Sequence, residues 1–476
     1  MPADHPRKLA MTGGPALWMK SRLGVLVDQL APPSLPGRET AFSALSAVEA
    51  ELRECRSPAA AAAVLENHKQ QVHRLLLGHF SPLAAKALTL KILNLHLAKY
   101  HFQSRDSVLL SRPFGLVVDP SNVCQLACPG CVHSNRSEAL KLFDWSNGTL
   151  GEDRFHALLR LYGPSAIGIY FCNYGEPLLN LNTPKLIRRV KSYLMATALS
   201  TSLSVRRFDA KAYVESGLDL MILSVDGATQ PVYETFRRNG NLELVIDNIR
   251  SLVEAKRLLG RRTPVLSWNF LAFEHNKHEI PAAERMARKL GVNLFRVVNP
   301  FDVRWDDPNV RPAAVKPSVK RLDWTSITNP PENWNPFPEL LDATAIESAF
   351  ASSWSAPDEA GAPSSGHTCH WLYKNMVMDA HGRIMPCCGA PRPDTNLVFA
   401  DFERSNGDSF NSERYRQARS FFREERAPAD GDSPFCTQCE WDHTTVNIGS
   451  PEIRRYFRAA NARLFDRRSV GMLADW

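Results

Sequence analysis

The chain has 476 residues, 44% of them hydrophobic and 22% charged, with 57 basic side chains against 50 acidic ones and a net charge of +7. These values predict a globular protein of two to four domains with ample apolar residues for a core. So mild a basic excess excludes the dense basic stripe of a nucleic-acid binder.

Residues 1–110 read as an N-terminal helical region. "AFSALSAVEAELREC", "AAAAAVLENHKQQVHRLLLGHF" and "PLAAKALTLKILNLHLAKYHF" are separated by Ser-Pro breaks. The third comes nearest to a membrane span, but Lys86, Lys91, Asn94 and His96 interrupt it. The first thirty residues show neither the apolar core nor the cleavage site of a signal peptide. The expectation is a cytoplasmic protein with no membrane or nucleic-acid partner.

Residues 111–300 change texture. "FGLVVD", "AIGIYFC", "TALSTSL", "DLMILSV", "VLSWNFLAF" and "NLFRVV" read as six strands with helical segments between them. Thr183 and Pro184 read as the N-cap and first turn of one helix; Gly217, Gly260 and Gly291 read as helix terminators. Six strand–helix units in a row predict an α/β fold with a parallel sheet, open or closed into a barrel. Active sites of such folds lie at the carboxyl ends of the strands.

Residues 301–366 form a Pro/Trp-rich extension and linker in which Trp305, Trp324 and Trp334 are candidates to line a channel or to pack on the sheet. Residues 367–445 read as a compact cysteine-bearing module. Residues 446–476 read as a C-terminal helix with one apolar face and a basic side.

Cysteine placement carries the chemistry. There are ten cysteines, and clusters of them in a cytoplasmic chain signal metal or redox chemistry rather than disulfides. Cys124, Cys128 and Cys131 fall within eight residues just after the first strand. Zinc is the bland reading, with His133 as a fourth ligand by spacing. Three thiolates on a four-iron cluster would instead leave one iron open, the mark of a catalytic metal. At the other strand ends, "YFCNYGEP" offers backbone groups and the Glu176 carboxylate to a ligand ammonium, Ser224 and Asp226 suit hydroxyls, and Arg237 or Arg238 suits a carboxylate.

Through "CQLACPGC", "YGEP" and "SVDGATQPVYETFRRNGN", residues 113 to about 300 resemble the radical S-adenosylmethionine (SAM) enzymes. The resemblance implies a partial (βα)6 TIM-like barrel and a [4Fe–4S] cluster on Cys124, Cys128 and Cys131 with SAM on its unique iron. It implies reductive cleavage of SAM to a 5′-deoxyadenosyl radical that abstracts hydrogen from a substrate, with electrons from a flavodoxin or ferredoxin. Gly175 and Glu176 match the motif for the methionyl amine, Ser224 the ribose contact, and Arg237 or Arg238 the carboxylate contact. The chain departs from the pattern at Gly130, where a bulky residue is usual, at Tyr174 in place of the first Gly of Gly-Gly-Glu, and at Thr201-Ser202-Leu203 in place of Thr-Asn-Gly.

Cys369, Cys387, Cys436 and Cys439 follow at spacings of 18, 49 and 3, enough to close a second metal site. A zinc ribbon is the bland reading. With the expected hairpin "MVMDAHGRIMPCC" turning at Gly382, the region is similar to the SPASM/twitch extension of radical SAM enzymes, which implies one auxiliary [4Fe–4S] cluster. Cys387 is preferred over Cys388 as the ligand. Cys172, at the end of the second strand, is a candidate hydrogen donor to a substrate radical, against the bland reading of a small buried residue. His133 and Tyr174 are candidate pocket residues. The implied activity is oxidation of a small molecule, with modification of a peptide or a non-enzymatic electron carrier as the other readings.

Overall fold

The computed structural model describes residues 47–77, 80–131, 147–300, 307–322, 340–352, 354, 369–389, 397–405, 407–424 and 436. His133, Trp305, Trp324, Trp334, Cys439 and the helix expected over 446–476 lie outside the described residues.

Two long helices come first, α1 (Pro58–Leu77) and α2 (Pro82–Ser104). Ser81 caps α2 by accepting the Ala84 N–H, and Pro82 takes the first helical position, where its missing N–H has no cost. The alternating region follows as β1 (Gly115–Val118), α3 (Glu152–Tyr162), β2 (Gly168–Phe171), α4 (Thr183–Val190), β3 (Ala196–Thr201), α5 (Ala210–Glu215), β4 (Leu220–Ser224), α6 (Gln230–Phe236), α7 (Leu242–Leu258), β5 (Val265–Leu271), α8 (Ile280–Lys289) and β6 (Leu294–Val298). Then come β7 (Ser318–Arg321), α9 (Ala343–Ala351), α10 (Trp371–Lys374), β8 (Asn375–Met378), β9 (Arg383–Met385), β10 (Ala400–Asp401) and α11 (Glu413–Glu424).

All six expected strands are present. Gly217, Gly260 and Gly291 each sit just past a helix at positive φ, as expected of terminators. One cap differs. Thr183 is the first helical residue rather than the N-cap, and its hydroxyl donates to the Pro177 carbonyl 2.7 Å away.

The ten strands form one sheet in the order β10-β9-β8-β1-β2-β3-β4-β5-β6-β7. From β1 to β6 the strands are parallel and follow chain order. Successive right-handed crossovers in one direction place their helices on one face. Leu116, Ile169, Leu199, Met221, Trp268 and Phe295 turn to that face, in one core cluster with Phe155, Ile187, Val214, Ile249 and Ala287 of the crossover helices.

The other face is covered at its amino-terminal half by α1 and α2. Ala196, Ala198, Leu220 and Ile222 cluster there with Leu65, Val72, Leu88 and Ile92. The polar residues that interrupt the α2 run are docking contacts. Buried Lys91 donates to the Gly163 carbonyl at 2.7 Å and to that of Ala166, and Asn94 bonds the backbone of Arg112 in both directions.

The cysteine-bearing hairpin β8–β9 turns at Gly382 (φ 88), as expected. It is not a sheet of its own: β8 pairs in parallel with β1, Gly115 opposite Asn375 and Val118 opposite Met378.

Candidate functional site

Cys124, Cys128 and Cys131 occupy the loop just past β1. Cys128 is buried and the other two are half-buried. Leu126, Cys128, Phe236, Phe273 and Val310 form a small apolar cluster against which Cys124 and Cys131 pack. The Cys131 N–H donates to the Cys128 carbonyl at 3.1 Å, and Gly130 supplies φ +74 to that turn. A bulky residue there would be strained, which accounts for the departure from the usual motif. Burial pushes the Cys124 thiol up to about 12 and the Cys128 thiol up to about 11. Both stay protonated near neutral pH unless a metal takes the proton's place. Among the described residues no three His, Cys, Asp or Glu side chains converge on a single-ion site. Three neighbouring, shielded thiols are the donor type that an iron–sulfur cluster takes.

The Gly-Glu-Pro loop after β2 is fastened to this one. Gly175 packs so tightly that a Cβ there would lie 1.7 Å from the Ser121 carbonyl oxygen. Asp119, a buried residue that the sequence reading missed, accepts the N–H groups of Asn173 at 2.6 Å and Tyr174 at 2.9 Å. Its only sequence signal is its place at the end of a strand. Burial pushes its pKa up to about 7, against the pull of these backbone bonds.

Glu176 is held by its own protein neighbours. Its carboxylate accepts from Thr201 Oγ1 (2.6 Å), the Leu178 N–H (3.2 Å), and the N–H and Oγ of Ser202 (2.9 and 2.7 Å). A carboxylate has about four acceptor positions, so a ligand ammonium finds this one engaged. Burial raises its pKa, opposed by the Thr201 and Ser202 bonds. The loop it holds is strained, since buried Leu203 has φ +57 where the usual motif has glycine.

At the end of β4, Ser224 Oγ lies 3.4 Å from Ser200 Oγ. Asp226 is fully buried and accepts Arg237 Nε at 2.5 Å and the Leu271 N–H at 2.6 Å. The two arginines part company. Arg237 Nη1 reaches 3.8 Å from Cys128 Sγ, whereas Arg238 turns outward to pair with Asp307. Burial opposes the Arg237 charge, but Asp226 and then Cys128 more than offset it, and its pKa is raised.

No protein-family model matches the chain. A probable GTP 3′,8-cyclase of Methanococcus maripaludis is 27% identical over 185 residues, 38% of this chain and 57% of the relative. The GTP 3′,8-cyclase of Limosilactobacillus fermentum is 28% identical over 128 residues, 26% of this chain and 37% of the relative. These matches support the radical SAM superfamily. The chain thus spans only about half, and about a third, of these two relatives. Among solved structures, Streptococcus suis SuiB superposes on 75% of this chain and 78% of its own at a TM-score of 0.43 and 16% identity. The AdoMet-bound anSMEcpe structure covers 76% and 100% at 0.40 and 13%. Both superpositions are loose.

Beside the three-cysteine loop that invites the radical SAM comparison, the fold gathers a second set. Cys369, Cys387 and Cys436 are all buried, and Cys387 interacts with the other two. Cys388 also interacts with Cys387, and reaches Tyr170 of β2 and Cys172 just past it as well. The two sets are tied together through strand β1. Tyr174 Oη donates to the Gly389 carbonyl at 2.6 Å, beside Cys388, and Asn122 Nδ2 meets His381 Nε2 at 3.1 Å. Cys172, just past β2, is within electrostatic reach of both Cys124 and Cys388. Burial, with the Asp119 and Glu176 charges, pushes its thiol well above the usual range, so it is a neutral S–H.

Proposed function

We propose that this protein is a radical SAM enzyme of the cytoplasm acting on a small molecule, built on a partial (βα)6 barrel with a twitch-type auxiliary centre. The observation that carries the reading is the three-thiol loop at the carboxyl end of β1, shielded by its own apolar cluster and faced by Arg237. For the barrel, the support is the parallel, chain-order run of β1 to β6 with the crossover helices packed on one face.

Cys124, Cys128 and Cys131 would hold the first [4Fe–4S] centre, and Cys369, Cys387, Cys436 and Cys439 the auxiliary one. When bound, the first centre with SAM supplies a 5′-deoxyadenosyl radical able to take hydrogen from a substrate. The residues of the chain do the rest. Arg237 presents its guanidinium beside Cys128, where a ligand carboxylate would find a fixed donor. Ser224 offers a hydroxyl to the ribose. Glu176 and Asp119 position the loops rather than meet the ligand, and Gly175 permits their close approach. Cys172 holds a transferable hydrogen within reach of both cysteine sets. A flavodoxin or ferredoxin would deliver electrons.

The curated relatives are named for action on GTP, which favours a small molecule over a peptide; they are cyclases, so the oxidative subclass rests on the second cysteine set alone. The test is anaerobic reconstitution. Two clusters require about eight irons per chain with negligible zinc, and dithionite should then release 5′-deoxyadenosine from SAM. A protein that binds about four zinc-free irons and cleaves SAM would keep the first centre and remove the second. One that never cleaves SAM would be an electron carrier.

A further inference from the structure

The face of the sheet opposite the crossover helices is polar at its carboxyl-terminal half. Strand register places Tyr170 of β2, Ser200 of β3, Ser224 of β4, Asn269 of β5 and Arg296 of β6 on it, beyond the apolar patch that α1 and α2 cover. Strands covered on both faces in parallel folds are normally near-continuous apolar runs, so a row of polar side chains here calls for something polar to face them.

Arg296 makes the demand specific. Its Nε is sealed from solvent and has no hydrogen-bond partner. Among the described residues its charge is met by Tyr170 and by no carboxylate, and burial pulls its pKa below the usual value. Arg419 shows what a structural buried arginine looks like in the same chain. Its guanidinium donates to the carbonyls of Leu372, Ser107 and Phe410 and to Asn411 Oδ1, and it stacks over Phe410 and Tyr415. Arg296 has none of this. Arg296 is half-buried, with only Nε sealed; withdrawing a guanidinium from water without a counter-charge costs stability, and such a residue is kept where something that binds needs it.

We propose that Arg296 anchors an anionic group of the substrate, a carboxylate or a phosphate, on this face, with Tyr170, Ser200 and Asn269 supplying neutral polar contacts around it. The planar fork of the guanidinium matches either oxyanion in a bidentate pair. Anchoring at β6 leaves the far end of the substrate directed back across the face toward Cys172 and the cysteine loop. The inference deepens the radical SAM reading and rests on it for what the face is used for.

The test uses the full-length, anaerobically reconstituted protein and three probes at matched ionic strength: inorganic phosphate, malonate, and neutral malonamide. The wild-type melting midpoint should rise by about 2 °C with at least one of the two anions and not with malonamide. A response to phosphate alone marks a phosphorylated substrate, and one to malonate alone a carboxylate. Arg296→Met should need at least about tenfold more anion for the same shift. Without anion this variant should melt at or above the wild-type midpoint, because the orphan charge is gone. An unchanged anion response in Arg296→Met overturns the proposal, as does a wild type that responds to neither anion. So does an anion-free midpoint that falls by more than about 3 °C, the mark of a structural arginine. Iron content and substrate-free SAM cleavage by Arg296→Met report on the radical SAM reading separately: losing both in wild type as well sinks that reading, whatever the anion titration gives.

Discussion

The engaged carboxylate of Glu176 separates two roles that a motif alone cannot. If it is a positioning group, removing it unfolds the loop; if it meets the ligand, removing it weakens SAM binding and leaves the fold alone. Glu176→Ala strips the partner from two hydroxyls and two backbone N–H groups at a residue only 3% exposed. The Thr201 and Ser202 hydroxyls can rotate to other acceptors. The Leu178 and Ser202 N–H groups cannot, and each buried orphan donor costs about 1–3 kcal/mol. The expected destabilisation is therefore about 4 kcal/mol, which moves a urea midpoint by roughly 1 M or more. Glu176→Gln keeps one acceptor oxygen and turns an amide toward donors, so it should fall about midway. Both are read by anaerobic urea titration alongside equilibrium binding of SAM. An unchanged midpoint in Glu176→Ala with SAM affinity down tenfold would refute the positioning role and restore the carboxylate to the ligand.

Asp119 gives a pH signature. With its folded pKa near 7 and an ordinary value of 3.8, the folded state holds the proton more tightly. Stability from this group is full below about pH 4 and lost as pH rises toward 7, by up to about 4 kcal/mol. The difference between wild type and Asp119→Asn should therefore shrink across that range; a difference that is flat or grows with pH contradicts the assignment. Gly175→Ala drives a methyl into the Ser121 carbonyl and should cost about 3 kcal/mol or more, with loss of iron from the first centre, measured by unfolding and metal content. Arg237→Met leaves Asp226 buried without its cation and should cost about 3–5 kcal/mol. Arg237→Lys, which returns a charge but not the fork, should recover part of that in the same unfolding assay, whereas equal losses in both would show that the guanidinium's shape alone matters.

The strands were legible because each is a short run of β-branched and aromatic residues between Gly, Pro and polar breaks, and that pattern is local. The three-cysteine loop was legible for the same reason. What the sequence concealed depends on partners far along the chain. Nothing near Glu176 announces that Thr201 and Ser202, on the next strand, will occupy it. "NMVM" reads as a strand but not as the neighbour of "GLVV". The lysine and asparagine that break the α2 run look like obstacles to burial until the Gly163, Ala166 and Arg112 backbones appear opposite them. Arg296 sits in its strand as one more polar alternate; its isolation is a property of what surrounds it, which composition and spacing do not carry. Leu203 hides a left-handed backbone because a leucine gives no sign of it.

The pairing of β8 with β1 has a consequence for how the chain is made. Gly115 and Asn375 are partners 260 positions apart. At the usual pace of about 5–20 residues per second, the ribosome needs roughly 13 to 50 s to deliver the second after the first. Throughout that wait the outer edge of β1 has no companion and is a template for any passing strand. The chain's exposure to edge-to-edge aggregation is concentrated in that interval.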